Sequence, residues 1–218
     1  MIRALIFDLD GVIVDTAKYH FKAWKKVAKK LKIPFEEKEN EKLKGISRIN
    51  SLEIILNLGS IQLPAEEKNH WLELKNNWYL EHIKNMKPDD VLLGAEQLLT
   101  KSREEGYKIA LGSASKNAIL ILKKINLINA FDKIIDGNLV TISKPNPKVF
   151  LEGAKLLEIP PEECIVFEDA QAGIIAAKRG GMKCVGVGSR DNLKGANVII
   201  KSLEEVVDIN TFISDHLS

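Results

Sequence analysis

Ala4-Leu5-Ile6-Phe7-Asp8-Leu9-Asp10-Gly11 carries an apolar run straight into two aspartates one residue apart. In an extended segment side chains repeat every two residues, so Asp8 and Asp10 share one side and Leu9 takes the other. A strand buried on both faces carries no charge along its length, and its carboxyl end is where open α/β sheets bind ligands. Two carboxylates brought together there repel, and a divalent cation relieves the repulsion. Gly11 lets the chain leave through a backbone conformation closed to other residues. A turn capped by two acids would look the same locally. What separates the two readings is whether polar residues recur at the ends of later apolar runs.

Working outward, Asp15-Thr16 reads as a helix start, with Phe21, Trp24, Val27, Ala28 and Leu31 following at helical spacing until Pro34. Thr16, His20 and Trp24 lie four residues apart and so form a line along that helix. Residues 35–88 keep helical periodicity, with Leu52-Ile55-Leu56 and Leu72-Tyr79-Leu80-Ile83 as core faces and no strand. Beyond them the pattern alternates. Helices are expected at Ala95–Glu105, Lys116–Ile125, Asn146–Leu157, Ala170–Arg179 and Leu203–Phe212. Strands are expected at Tyr107–Gly112, Ile134-Ile135, Cys164–Phe167, Cys184–Val187 and Val198–Ile200. This order predicts an α/β fold: a doubly wound, Rossmann-like parallel-sheet core, residues 1–15 and 89–218, with an inserted α-helical cap at 16–88.

Polar residues do recur at the strand ends. Ser113 follows the second strand within Gly112-Ser113-Ala114-Ser115-Lys116-Asn117, where a hydroxyl beside a starting helix can donate to a phosphate or simply cap the helix. Lys144, in Ser143-Lys144-Pro145-Asn146-Pro147, is either a point charge for a phosphoryl group or an exposed loop lysine. Glu168-Asp169 ends the Cys164–Phe167 run. With Asp8 these acids offer an all-oxygen site for Mg²⁺.

The 218 residues, 45% hydrophobic, suffice for one full core and a smaller module. No apolar stretch reaches membrane-spanning length, and the first strand begins at once, so no signal peptide, no membrane partner and a cytoplasmic location are expected. Cys164 and Cys184 sit in apolar runs and are expected as buried free thiols. The net charge of +2 divides unevenly, about +6 over 16–88 and about −4 over the rest. A basic segment above an acidic one suits an anionic substrate, and a solvated lysine-rich surface gives the same count. No nucleic-acid-binding motif is present.

Asp8-Leu9-Asp10-Gly11-Val12-Ile13-Val14-Asp15-Thr16 resembles the DxDGxxxDT opening of the haloacid dehalogenase-like hydrolases. Within that superfamily the chain is similar to the β-phosphoglucomutase family over essentially its whole length. Tyr19-His20-Phe21-Lys22-Ala23-Trp24 resembles YHFRAW and Leu43-Lys44-Gly45-Ile46-Ser47-Arg48 resembles LKGVSR, with Ser51-Leu52 after it. Residues 113–117 match SASKN, Lys144 lies in SKPxP, and Glu168-Asp169 stands where the family has EDSxAG. The match is poor over 57–70, and Gly188-Ser189-Arg190-Asp191 lacks the usual proline.

The resemblance implies that Asp8 is the nucleophile that becomes phosphorylated, and that Asp10 is the general acid and base. It also implies that Asp8, the Asp10 carbonyl, Glu168 and Asp169 hold Mg²⁺. Thr16, His20, Trp24, Lys44, Gly45, Arg48, Ser51 and Lys75 would contact substrate from the cap. Arg48 would hold the phosphate remote from the reaction, and His20 would hydrogen-bond Asp10. Ser113, Ala114, Ser115, Lys116, Asn117 and Lys144 would contact it from the core. The implied activity interconverts β-D-glucose 1-phosphate and β-D-glucose 6-phosphate, primed by β-glucose 1,6-bisphosphate, in a monomer whose partners are small sugar phosphates. The alternative is a sugar-phosphate phosphatase using the same Asp8 chemistry with water as acceptor. A non-catalytic sugar-phosphate sensor would be expected to lack one of these polar residues, and none is missing.

Overall fold

The computed structural model describes residues 1–217. The chain enters through β1 (Ala4–Phe7) and then makes four helices, α1 (Ala17–Lys30), α2 (Glu37–Glu41), α3 (Arg48–Leu58) and α4 (Ala65–Ile83). It continues through α5 (Ala95–Glu104), β2 (Lys108–Gly112), α6 (Ala118–Lys124), β3 (Lys133–Ile135) and α7 (Lys148–Leu157). The last part is β4 (Cys164–Glu168), α8 (Gln171–Arg179), β5 (Lys183–Val187), β6 (Val198–Ile200) and α9 (Ile209–His216). All strand pairs are parallel, and the sheet order is β3-β2-β1-β4-β5-β6. The chain winds outward in both directions from the centre, so the topological switch lies between β1 and β4.

The period-2 pattern sorts the β1 side chains between two cores. Leu5 and Phe7 join Leu98, Leu99, Ile121, Leu122 and Phe212 on one face, and Ala4 and Ile6 join Val149, Phe150, Ala154, Ile174 and Ala177 on the other. A third cluster, around Trp24, Val27, Phe35, Leu52 and Ile55, belongs to α1–α4. Tyr79, Ile83 and Met86 nevertheless pack into the first sheet-side core, anchoring the far end of α4 to it. Lys32, in the left-handed region at φ 57°, ends the turn that follows α1, two residues before Pro34. Cys164 and Cys184 are buried free thiols.

Two expectations change. The terminal helix is not continuous from Leu203 to Phe212. A 3-10 turn at Leu203–Glu205 is followed by a break at Val206 (φ −90°, ψ 73°), and α9 begins at Ile209. The reason is local: the Asp208 carboxylate accepts from Thr211 N at 2.7 Å and restarts the helix as its N-cap. The second change is that β4 runs through Glu168, so that acid is a strand residue paired opposite Gly186.

Gly94, at φ +81°, lets the 3-10 turn lie against the start of α5: a Cβ there would stand 2.3 Å from Glu204 N and 2.6 Å from Leu203 C. Gly94→Ala combines a left-handed backbone with a backbone clash. It is expected to cost about 2–4 kcal/mol, seen as a lower urea midpoint at unchanged m-value. An unchanged midpoint would show that the turn can move aside.

Candidate active site

The β1/β4 pairing builds the site. Phe7 and Phe167 lie opposite each other in register and stack with ring centroids 4.7 Å apart and an interplanar angle of 9°. Asp8 N donates to Phe167 O at 3.0 Å, which carries the pairing one residue further and sets Asp8 beside Glu168. Lys144 bridges the two acids: its Nζ lies 2.5 Å from Asp8 Oδ1 and 2.8 Å from Glu168 Oε2, and all three side chains are buried. The Lys144–Pro145 peptide is cis. Burial opposes the charge on Lys144, but Asp8 and Glu168 outweigh it and raise its pKa above the ordinary lysine value.

Asp8, Glu168 and Asp169 present carboxylate oxygens within 4.8 Å of one another. Three carboxylates against one ammonium leave two negative charges unbalanced if all are ionised. Burial, with Glu168 and Asp8 beside it, pushes the Asp169 carboxyl well above its usual range; Glu168 is raised chiefly by burial as well. The donor set is all oxygen, which suits a hard divalent cation. Glycines make the room: a Cβ on Gly11 would lie 2.1 Å from Asp169 Oδ2, and one on Gly173 2.0 Å from Glu168 Oε2. Glu168 is the most committed of the three, because its other oxygen accepts from Ala170 N at 3.0 Å. The Asp10 side chain stands outside this cluster.

Asp10 takes a different position. Its N–H donates to Asp8 Oδ2 at 3.0 Å, which fixes the second Asp8 oxygen, and its own Oδ1 accepts from the Thr16 hydroxyl. Burial first, and Asp8 second, push the Asp10 carboxyl up to about 6. A carboxyl that titrates there can both give and take a proton near neutral pH.

Above these residues a single cavity separates the sheet ends from α1, α3, α4 and the turn after α2. Its wall includes Asp8, Asp10, Asp169 and Lys144 on the sheet side, with Ser113, Ala114, Ser115, Lys116 and Asn117 beside them. On the helical side it includes His20, Trp24, Lys44, Gly45, Arg48, Ser51 and Lys75. Thr16 and Glu168 do not reach the wall; each bonds a residue that does.

Lys75 is nearly sealed, at 2% exposure, yet no carboxylate pairs with it among the described residues. Its Nζ lies 2.8 Å from His20 Nδ1 and over the rings of Trp24 (4.9 Å) and Tyr79 (4.8 Å). Burial, then Arg48, drives Lys75 down to about 7. Burial, Lys75 and Arg48 hold His20 well below its usual value and so neutral. With Nδ1 accepting from Lys75, the neutral ring carries its proton on Nε2, a buried donor left without a partner. The bond expected from His20 to Asp10 is not made in this arrangement; Thr16 makes it instead. Lys44 lines the cavity but is also tied to Glu41 at 3.0 Å.

Sequence reasoning missed part of the wall. Asn40, only 9% exposed, and the loop residues Gly137, Val140, Thr141, Ile142 and Ser143 all face the cavity. Ser143 also accepts from Asn50 Nδ2 of α3 at 2.8 Å, across the mouth of the cleft. The loop's direct lead into Lys144 was the one available signal.

With this geometry in place, the comparisons are decisive. The haloacid dehalogenase-like hydrolase family model matches residues 5–187. The chain belongs to that family. Among relatives of this haloacid dehalogenase-like hydrolase, the β-phosphoglucomutase of Bacillus subtilis (strain 168) is 42% identical over 206 residues, 94% of this chain and 91% of that one. A phosphorylated carbohydrates phosphatase of Thermotoga maritima is 29% identical over 184 residues, 83% of this chain and 82% of that one. The crystal structure of a β-phosphoglucomutase from Clostridium difficile superposes with a TM-score of 0.94 at 44% identity, covering 98% of this chain and 96% of that one. Among the described residues, no helix of this family member is long and apolar enough to cross a membrane.

The unpaired Lys75 gives a pH-dependent outcome. A lysine whose folded pKa is lowered to about 7 loses its proton as pH rises through that value, so at pH 8 it is mostly neutral. An anion bound in the cavity favours the charged form and raises the pKa again. Binding a phosphate monoester, dianionic at pH 8, is therefore expected to take up as much as about one proton. Calorimetry in buffers of different ionisation enthalpy measures this uptake, and Lys75→Met should lower it, leaving only the share taken by the raised carboxyls of Asp10, Glu168 and Asp169. Uptake unchanged by the substitution would assign it to those groups instead.

Proposed function

We propose that this enzyme interconverts β-D-glucose 1-phosphate and β-D-glucose 6-phosphate through an aspartyl phosphate on Asp8. The observation that carries the reading is the composition of the cavity wall. A carboxylate nucleophile held by a buried lysine faces one side, and Arg48 and Lys75, with no carboxylate partners among the described residues, face the other. A phosphatase needs the first set. A bisphosphorylated sugar calls for both, because each of its phosphates requires a cationic or donor-rich wall. The whole-length similarity to β-phosphoglucomutases at 42% and 44% identity supports the same activity.

An oxygen of Asp8 attacks the phosphorus, the bond to the bridging sugar oxygen breaks, and Asp10 gives that oxygen its proton. In the return half, Asp10 takes the proton of the incoming sugar hydroxyl as it attacks the aspartyl phosphate. Asp10 N and Lys144 Nζ each bond one Asp8 oxygen, so the nucleophile is oriented before substrate arrives. Ser113, whose Oγ accepts from Ser115 N at 3.1 Å, is placed to donate its hydroxyl to a phosphoryl oxygen. Mg²⁺ fits the oxygen cluster, held by Asp8 and Asp169 with Glu168 behind them; when bound it supplies positive charge to the phosphoryl oxygens. β-Glucose 1,6-bisphosphate primes Asp8 and is the intermediate that exchanges its two ends. Residues 16–88 act as a movable cap that opens for this exchange, in a monomeric enzyme.

The deciding assay supplies Mg²⁺, β-glucose 1-phosphate and a trace of the bisphosphate, and follows glucose 6-phosphate and free phosphate together. Glucose 6-phosphate from the β anomer alone, with little free phosphate, is the expected result. Stoichiometric phosphate without glucose 6-phosphate would make the protein a phosphatase. Arg48→Ala is expected to weaken sugar-phosphate binding, by about ten- to a hundred-fold for loss of a charged hydrogen-bonding group, while transfer from acetyl phosphate stays within about two-fold. Equal loss with both donors would contradict a grip on the remote phosphate.

A further inference from the structure

We propose that Asn76, which lies off the cavity wall, positions Asn117 for the substrate. The inference rests on the sugar-phosphate reading above and adds a residue to it. Asn117 lines the cavity and immediately precedes α6, where its backbone N–H donates to Ser115 Oγ at 3.2 Å. Its main chain is thus held by the sheet side. Its side chain is held from the helical side: Asn117 Nδ2 donates to Asn76 Oδ1 at 3.1 Å.

A primary amide carries two N–H donors on one end and an acceptor on the other, and its terminal torsion has two broad, nearly equal orientations. Left free, Asn117 would present the wrong end to a bound oxygen for much of the time. The carbonyl of Asn76 takes one N–H and so selects one orientation, leaving the second N–H and the Asn117 oxygen for the cavity. Asn76 neighbours Lys75 in sequence, so the same turn of α4 that brings Lys75 to the wall brings the Asn76 carbonyl to Asn117. One docking event therefore readies two contacts. α4 has a second tie to the other end of α6, Lys124 Nζ to Lys84 O at 3.0 Å, which is exposed and away from the cavity. That tie fastens the same two helices without touching a residue of the wall.

The test is a double-mutant cycle on β-glucose 1-phosphate turnover with Asn76→Ala, Asn117→Ala and the double variant, with Lys124→Ala as the control for helix docking alone. Asn76→Ala should raise KM about three- to ten-fold, the worth of one neutral hydrogen bond, with kcat within about two-fold. The double variant should be no worse than Asn117→Ala, because Asn76 acts only through Asn117. Lys124→Ala should leave KM unchanged. Losses that multiply in the double variant, or a Lys124→Ala effect equal to that of Asn76→Ala, would overturn the coupling while leaving the activity in place. Absence of turnover by the unsubstituted enzyme would overturn the activity and the coupling together.

Discussion

Lys144 lies between Asp8 and Glu168 with its side chain wholly buried, and the rest of the site is arranged around that contact. A buried ammonium is tolerated only with partners on hand, and removing one partner of such a group costs on the order of 3–5 kcal/mol. The two acids come from the ends of adjacent parallel strands, so their separation is set by the sheet and by the Phe7–Phe167 stack beneath them. Lys144 arrives from a different part of the chain, ahead of α7. The strand ends thus fix Asp8 and the lysine fixes its rotamer. Gly11 and Gly173 follow from the same crowding, since a Cβ at either would occupy the space of Asp169 or Glu168.

The two walls of the cavity are each electrostatically incomplete. The sheet wall carries an excess of carboxylates, and burial pushes the proton affinity of Asp10 and Asp169 up. Among the described residues, the helical wall carries a buried lysine driven toward neutrality, a neutral histidine with an idle N–H and an arginine without an ion pair. A protein optimised for stability alone would pair these groups with each other. Here they are kept apart across a cavity, where an anionic ligand on one side and a cation on the other satisfy both. Such local violations of pairing mark where function has been favoured over stability.

The sheet was legible because its signals are local. Four-residue apolar runs ending in Asp8, in Ser113 and in Glu168 announce strands and their functional ends together, and α1 to α5 follow from helical periodicity. His20 and Trp24 line the cavity while Thr16, the cap before α1, bonds Asp10 beneath it, and their partners are not readable from the sequence. His20 pairs with Lys75, 55 residues away, and Asn50 with Ser143, 93 residues away. Nothing in local spacing encodes which distant side chain a given one will meet. The break at Val206 failed for the opposite reason: the apolar pattern runs on through it, and only the competing cap at Asp208 ends the first turn. The loop 137–143 has no periodicity at all and entered the site by its attachment to Lys144.

Asp8 and Asp10 differ in what holds them. Asp8 is an extension of β1, bonded through its N–H to β4, so its place is that of the sheet. Asp10 lies on the crossing from the sheet to the helices, where Gly11 N bonds Val14 O and Val14 makes an isolated bridge to Val91 of the returning chain. Leu92 N bonds Ile13 O in the same place, so the two crossings are stitched to each other. A displacement of α1–α4 as a body would pivot about this stitch and leave Asp8 still. It would move Thr16, which begins α1 and holds the Asp10 carboxyl. Asp10 is therefore tied to the position of the helices, while Asp8 is not. With the helices displaced, Asp8 keeps its lysine but Asp10 loses the hydroxyl that aims it. In the proposed reaction, water entering an open cavity would meet a phosphorylated Asp8 without a correctly placed base, and a sugar that drew the helices in would restore one. Discrimination between the two acceptors then follows from where the chain crosses between its two layers.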